Sequence, residues 1–174
     1  SGGLGNDTLS GGYGADILHG DGGNDTVEGG EGNDAIYGDD GDDRLVGGAG
    51  ADSLYGGTGN DTVDYRSSGA GVTIDLANNS GAGGDATGDV FAIGSIENVD
   101  GSEFADTLTG NAGANILKGF GGSDLLVGGA GDDSFDGGDG IDTVVYAGNA
   151  GSYTIDFNAK TITHSGSDGV DSFT

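Results

Sequence analysis

The chain contains no cysteine, proline, methionine or tryptophan, and only four basic residues, Arg44, Arg66, Lys118 and Lys160, among 174. The lack of cysteine removes any disulfide framework and any thiolate metal site, without fixing a compartment. With His19 and His164 the only imidazoles, zinc is disfavoured as a structural metal. Four scattered cations cannot form the patch that nucleic acid or an anionic lipid surface requires. No apolar run approaches the ~20 residues of a helical membrane span, and no N-terminal signal peptide is visible. There is no H-E-x-x-H helix. Ser67-Ser68 has no histidine partner in its sequence context, and the pairs Asp39-Asp40 and Asp132-Asp133 fall in turns, where metal coordination or solvation is the expected role. The stretch is therefore not read as an enzyme, and any catalytic domain is left to other parts of a longer protein. The chain opens mid-pattern at Ser1-Gly2 and stops inside an alternation at Ser172-Phe173-Thr174, which reads as a fragment.

What the chain has in excess is glycine and negative charge: 43 Gly, 30 acidic residues and a formal net charge of -26. Glycine loses the most backbone entropy on folding, and low hydrophobicity with high like charge ordinarily predicts disorder. Periodicity argues otherwise. A nine-residue unit, G-G-x-G-x-D-x-U-x with U apolar, begins at Gly2 and recurs from Gly11, Gly20, Gly29, Gly38, Gly47 and Gly56, then from Gly101, Gly110, Gly119, Gly128 and Gly137.

Read by position, this unit specifies a coil. Glycine at positions 1 and 4 reaches φ > 0 without a Cβ clash and turns the chain. The apolar position 8 (Leu9, Leu18, Val27, Ile36, Leu45, Leu54, Val63) is flanked by outward-facing residues, the signature of a short strand. Six residues of turn and three of strand make a half-coil, so two repeats make one coil with a strand on each side. Coils stacked at about 4.8 Å give nine or ten layers and a rod roughly 45 Å long. The predicted fold is all-β: a right-handed parallel β-roll, or β-solenoid, with a thin core of two facing ladders.

The same stacking lines up the position-6 carboxylates in columns. Unit charges about 5 Å apart repel by roughly 3 kcal/mol at an effective dielectric of 20, and a few such contacts exceed the ~5–15 kcal/mol stability of an ordinary domain. A bridging cation is required. Calcium takes six to eight oxygen ligands at about 2.3–2.6 Å in loose geometry, which carboxylates and exposed turn carbonyls supply; magnesium demands tighter octahedral geometry. If each repeat pairs with the next but one, seven consecutive repeats give five sites and the later five give three, about eight Ca2+ in all.

Tyr65 to Asp100 breaks the motif but spans 36 residues, four ninefold units, so Gly101 keeps the register of Gly2. Its position-8 slots are Val72, Gly81, Val90 and Val99; its position-6 slots, Ala70, Asn79, Gly88 and Glu97, mostly lack a ligand. The insert is expected to continue one roll with a protruding loop near Asn78–Gly88, the alternative being two rolls and a linker. In the later repeats, Phe104 replaces the second turn glycine and Asn115 the aspartate, which predicts weaker sites. Tyr153–Phe157 and Lys160–His164 alternate around Asn158-Ala159 and predict a capping hairpin. The expected division is a first block, 1–64, an in-register insert, 65–100, a second block, 101–146, and a cap, 147–174.

The tandem nonapeptides, the run Ile96-Glu97-Asn98-Val99 leading to Phe104-Ala105-Asp106, and the terminal hairpin resemble the RTX secreted proteins of bacteria, whose calcium-binding repeat has this consensus. The resemblance implies metal ligands at Asp7, Asp16, Asp25, Asp34, Asp43, Asp52, Asp61, Asp106, Asn115, Asp124, Asp133 and Asp142. It also implies export by a type I secretion apparatus and folding on extracellular calcium, with the module secreted or at the cell surface. A calcium-dependent glycan-binding or adhesin module is the alternative, with extracellular polysaccharide as partner. Tyr37 and Tyr55, both at position 9 and two repeats apart, are predicted to share a face, while His19, also at position 9, is expected to be solvated.

Overall fold

The computed structural model describes residues 1–145 and the backbone of three further strands, Tyr153–Asp156, Thr161–His164 and Val170–Phe173. Short strands build it, with one 3-10 turn, Gly84–Ala86, among the described residues. In one sheet Thr8 pairs in parallel with Thr26, Thr26 with Arg44, and Arg44 with Thr62. In the facing sheet Ile17 pairs with Ala35 and Ala35 with Ser53. Every step is eighteen residues, two repeats per coil, as the period predicts for a parallel β-roll. The pairing also continues around the turns: Gly23 N donates to Asp40 O (2.8 Å) and Gly41 N to Thr58 O (2.9 Å). Strands of the first block accordingly reach six residues, as in Thr26–Glu31 and Arg44–Ala49, rather than three.

The position-8 side chains point inward. Val27, Ile36, Leu45, Leu54, Val63, Val99, Leu108, Leu117, Leu126 and Phe135 are buried, while Leu9 and Leu18 in the first coil are partly covered. Alternation along each strand sends their neighbours outward.

Turn geometry departs from the sequence reading in one respect. Positive φ falls at positions 2 and 4, as at Gly30 (111°) and Gly32 (135°), and not at position 1. At three position-2 sites that are not glycine the conformation persists, Asp21, Asp39 and Phe120 adopting φ of 70°, 72° and 70°, values that cost an L-residue about 1 kcal/mol or more; Ser102 and Asn111, also at position 2, do not adopt it. Position 1 needs glycine for a different reason, which lies in the site.

The insert does not follow ninefold phase throughout. In the first sheet it contributes one strand, Asn98–Asp100, between Thr62–Asp64 and Ile116–Lys118, and Val99 keeps its inward slot. In the facing sheet it contributes three: Val90–Phe91 parallel to Ser53–Thr58, then Ser80–Ala82 antiparallel, then Thr73–Asp75, which pairs in parallel with Thr107–Thr109. Phe91, not Val90, aligns with Leu54, and Ile74, not Val72, aligns with Leu108. Val90 is half exposed as a result. Thirty-six residues thus complete a single coil on one side, giving about eight turns in place of the nine or ten expected. Tyr65, Ile74, Leu76, Ala86, Phe91 and Ile96 fill the wider interior there.

The cap has one strand more than the expected hairpin. Tyr153–Asp156 pairs antiparallel with Thr161–His164, which pairs antiparallel with Val170–Phe173; the last lies parallel against Ser134–Asp136. The hairpin turn itself and the boundary at 146–147 lie outside the described residues. Because the core is one side chain deep, a single truncation should be severe. Leu45→Ala, at 0 % exposure, is expected to cost about 2–5 kcal/mol in urea denaturation at saturating calcium. Leu4→Ala, at 96 % exposure, should stay within ~0.5 kcal/mol of wild type.

Candidate metal centre

The position-6 aspartates form two hydrogen-bonded columns, one along each turn edge. Asp7 N donates to Asp25 Oδ1 (2.7 Å), Asp25 N to Asp43 Oδ1 (2.7 Å) and Asp43 N to Asp61 Oδ1 (2.8 Å). On the opposite edge Asp16 N donates to Asp34 Oδ1 and Asp34 N to Asp52 Oδ1, both at 2.8 Å. Each carboxylate thereby uses one oxygen to tie its coil to the preceding one. The other oxygen is left bare: Oδ2 of Asp7, Asp16, Asp25, Asp34, Asp43, Asp52, Asp61 and Asp124 is buried with no hydrogen-bond partner. Buried carboxylate oxygens are expensive to leave unsatisfied, and a row of them is an arrangement that a cation would satisfy.

Position 1 shows what faces these oxygens. A Cβ on Gly2 would lie 2.8 Å from both Asp7 Oδ2 and Gly20 O, and one on Gly11 would lie 2.6 Å from Gly29 O and 2.8 Å from Asp16 Oδ2. Position 1 must be glycine because a carboxylate of its own repeat and a carbonyl of the next coil converge where a side chain would begin. The same pairing recurs as Asp25 with Gly38 O, Asp34 with Gly47 O, Asp43 with Gly56 O and Asp124 with Gly137 O. These donors are hard oxygens of the kind calcium takes. Among the described residues no three His, Cys, Asp or Glu side chains converge on one point. Backbone carbonyls, not a carboxylate cage, supply the rest of each cradle.

Burial and like charge act on the columns as expected. Burial pushes the Asp61 carboxyl up to about 7, with repulsion from Asp43, Glu97 and Asp42 adding to it. Burial likewise raises Asp43, Asp52, Asp124 and Glu97. Asp89 is pushed up to about 6, again chiefly by burial.

The second block is built differently. Asp106 Oδ1 accepts from Val72 N (2.7 Å) and Ser102 Oγ (2.7 Å), and its Oδ2 accepts from Ser102 N (2.6 Å). Asn115 Oδ1 accepts from Asn111 N (2.8 Å), and its Nδ2 donates to Glu97 O (2.7 Å). The protein itself satisfies both side chains. Asp124 keeps a bare oxygen; Asp133 and Asp142 accept from Asn115 N (2.9 Å) and Asp124 N (3.0 Å) and carry the two columns onward.

Several residues escaped the sequence reading. Asp89 accepts from Asp52 N (2.9 Å) and Glu97 from Asp61 N (2.9 Å), so both columns continue into the insert. Glu97 stands in the position-6 slot that the period marks, though its part in the column was not anticipated; Asp89 lies one residue beyond its slot and carries no periodic signal. The basic residues described as scattered are gathered. Arg44 and Arg66 (2.7 Å) both bind Asp64, while Arg66 (3.7 Å) and Lys118 (3.5 Å) approach Asp100. Burial opposes ionisation of Asp64, but hydrogen bonds from Arg66 and Arg44 outweigh it and hold the carboxyl below its usual range. All three Lys and Arg residues among those described thus gather on Asp64 and Asp100, which lie side by side in adjacent strands. His19, expected to be solvated, stacks on Tyr37 (4.4 Å), which stacks on Tyr55 (4.5 Å), and its Nδ1 lies 2.9 Å from Asp39 Oδ2.

A family model for the RTX calcium-binding nonapeptide repeat matches the chain four times, over residues 1–36, 37–67, 100–135 and 121–144. No curated protein matches it. No helix among the described residues is long and apolar enough to cross a membrane.

Two outcomes follow from this geometry. Gly38→Ala, whose Cβ collides with Gly56 O and Asp43 Oδ2, should raise the calcium midpoint of folding at least several-fold by circular dichroism. Gly69→Ala, with open space around it, should not. The raised carboxyl pKa values also set a sign: such groups favour the metal-free fold below the ordinary carboxylate range, and that contribution is lost as pH rises through about 6 and 7. In calcium-free buffer the β signal should therefore be larger at pH 4.5 than at pH 8.

Proposed function

Because the chain belongs to the RTX calcium-binding nonapeptide repeat family, we propose that it is a module whose folding is driven by extracellular calcium and which supports type I secretion and stabilisation of a larger secreted protein. The observation that carries this reading is the row of bare, buried Oδ2 atoms, six of them facing a carbonyl of the next coil. RTX nonapeptide repeats bind calcium, and their β-roll is a structural module rather than a catalytic one; catalysis is assigned to other parts of a parent protein.

On this reading the metal ligands are Asp7, Asp16, Asp25, Asp34 and Asp43 in the first block and Asp124 in the second, each with the position-1 carbonyl two repeats on. Asp52 and Asp61 have the bare oxygen but no such repeat carbonyl among their neighbours, and Asp133 and Asp142 extend the columns. Asp106 and Asn115 are poor candidates because Ser102 and Asn111 already occupy them. The repeats then supply about six ions rather than eight. The proposed division keeps 1–64 and 101–146 as calcium blocks, 65–100 as the junction and 147–174 as the cap.

The chemistry couples charge to compartment. Extracellular calcium modules work at dissociation constants of about 10⁻⁴–10⁻³ M. Where calcium is scarce, column repulsion keeps the chain open for export; where it is plentiful, binding energy becomes folding energy. The glycan-binding alternative draws less support, since His19, Tyr37 and Tyr55 cover one another's faces and leave only the ends of the row for a sugar to stack on.

A calcium titration followed by circular dichroism tests the reading. A cooperative coil-to-β transition is expected, weak with magnesium. Asp25→Ala with Asp43→Ala should move its midpoint to higher calcium without abolishing the β signal at saturation. A chelated protein as ordered and protease-resistant as the loaded one would overturn it.

A further inference from the structure

The two carboxylate columns of the first block meet the insert in different ways. One ends at Asp89. Its Oδ1 takes the Asp52 amide (2.9 Å) and its Oδ2 takes the Tyr65 hydroxyl (2.7 Å), so both oxygens are used. At Gly47, the cradle belonging to Asp52, the three nearest atoms all come from Asp52 itself. Asp52 Oδ2 has no partner, but no carbonyl is among the three atoms nearest the Gly47 Cβ position, and the column's last carboxylate, Asp89, is satisfied by protein groups.

The other column meets Glu97, whose Oε2 accepts from Asp61 N at 2.9 Å, the role that Asp61 Oδ1 plays for Asp43 N at 2.8 Å. Asp61 is 0 % exposed and its Oδ2 has no partner. Facing that oxygen is a carbonyl from the insert. A Cβ on Gly56 would collide with Ser95 O and Asp61 Oδ2, as one on Gly38 would with Gly56 O and Asp43 Oδ2. Ser95 is held there from two sides: its Oγ accepts from Gly56 N (3.1 Å) and its amide donates to Ala92 O (3.3 Å). Carbonyl and carboxylate stand five residues apart in a repeat and two apart here, and the extra methylene of glutamate suits the shorter path. A cavity lined by Asn60, Ile93, Glu97 and Asn111 opens beside Glu97.

We propose that Asp61, the Ser95 carbonyl and Glu97 form a calcium site outside the nonapeptide pattern, half from the last repeat of the first block and half from the insert. One column then carries metal across the break while the other is sealed by Asp89 and Tyr65. The proposal rests on the repeat cradles being calcium sites, and its test keeps the two ideas apart. Crystals of the wild-type protein grown with terbium in place of calcium should show anomalous peaks at the Asp25 and Asp43 cradles and a further one between Asp61 Oδ2 and Ser95 O. Peaks at the first two with none at the third would overturn this site alone; no peak at any of them would overturn the underlying reading as well. In solution, Glu97→Gln retains an acceptor for Asp61 N but loses the charge. Calorimetric titration of that variant should show one ion lost or bound about tenfold more weakly, with wild-type β signal at saturating calcium. Asp89→Asn should leave the ion count unchanged. Equal stoichiometry and affinity for Glu97→Gln and wild type, or loss of an ion with Asp89→Asn in its place, would also sink the proposal.

Discussion

Repulsion between stacked carboxylates is the constraint that organises this molecule. Parallel coils bring Asp7, Asp25, Asp43 and Asp61 into one file, the last three each accepting through Oδ1 from the aspartate amide of the preceding coil. The bond that ties the layers therefore fixes the charges within a layer spacing of one another, and it leaves the second oxygen of each buried and bare. A protein interior tolerates that only when opposite charge lies close by. The core, one inward side chain per half-coil, offers little to offset the cost. Fold and ligand are in this sense one problem: the backbone geometry that makes the roll also makes the cradle.

The insert shows how such a system is interrupted. It places three strands in one sheet against one in the other, widens the apolar interior with Tyr65, Ile74, Leu76, Phe91 and Ile96, and draws Arg44, Arg66 and Lys118 onto Asp64 and Asp100. Here side-chain packing and ion pairing take over the work that bare carboxylates and carbonyls leave to a cation elsewhere. The second block has moved partly in the same direction, since Ser102 and the Asn111–Asn115 pair satisfy internally what the first block leaves open. Asp124 keeps the bare oxygen and facing carbonyl of the first block, so the two arrangements coexist in the second.

How much of this was legible follows from the length scale of each signal. The eighteen-residue coil, the inward Leu45 and Leu54 and the columns of aspartate are consequences of a nine-residue period, and the period is visible in the letters. The role of position-1 glycine was misread as a matter of φ because a clash with Gly56 O or Gly20 O involves the next coil, eighteen residues away. Val72 and Val90 were assigned inward by phase; Val72 is buried although Ile74 takes the aligned slot, whereas Val90 is displaced by one residue from the slot that Phe91 fills, and a one-residue shift turns a side chain to the other face. Asp106 and Asn115 stand at ligand positions by period, and each also accepts from a residue four places earlier in its own repeat, Ser102 or Asn111, while Val72 and Glu97 reach them only through the fold.

What the sequence determined by itself is the repeating part: an all-β roll and acidic turn edges whose stacked carboxylates suit a divalent cation, because a strict period forces identical neighbours into identical places. What the tertiary structure alone decided is every departure from the period: the detour of the insert, the gathering of three cations on Asp64 and Asp100, the sealing of one column by Tyr65 and the approach of Ser95 to Asp61. Those depend on contacts between residues that share no register, and a one-dimensional pattern holds no record of them.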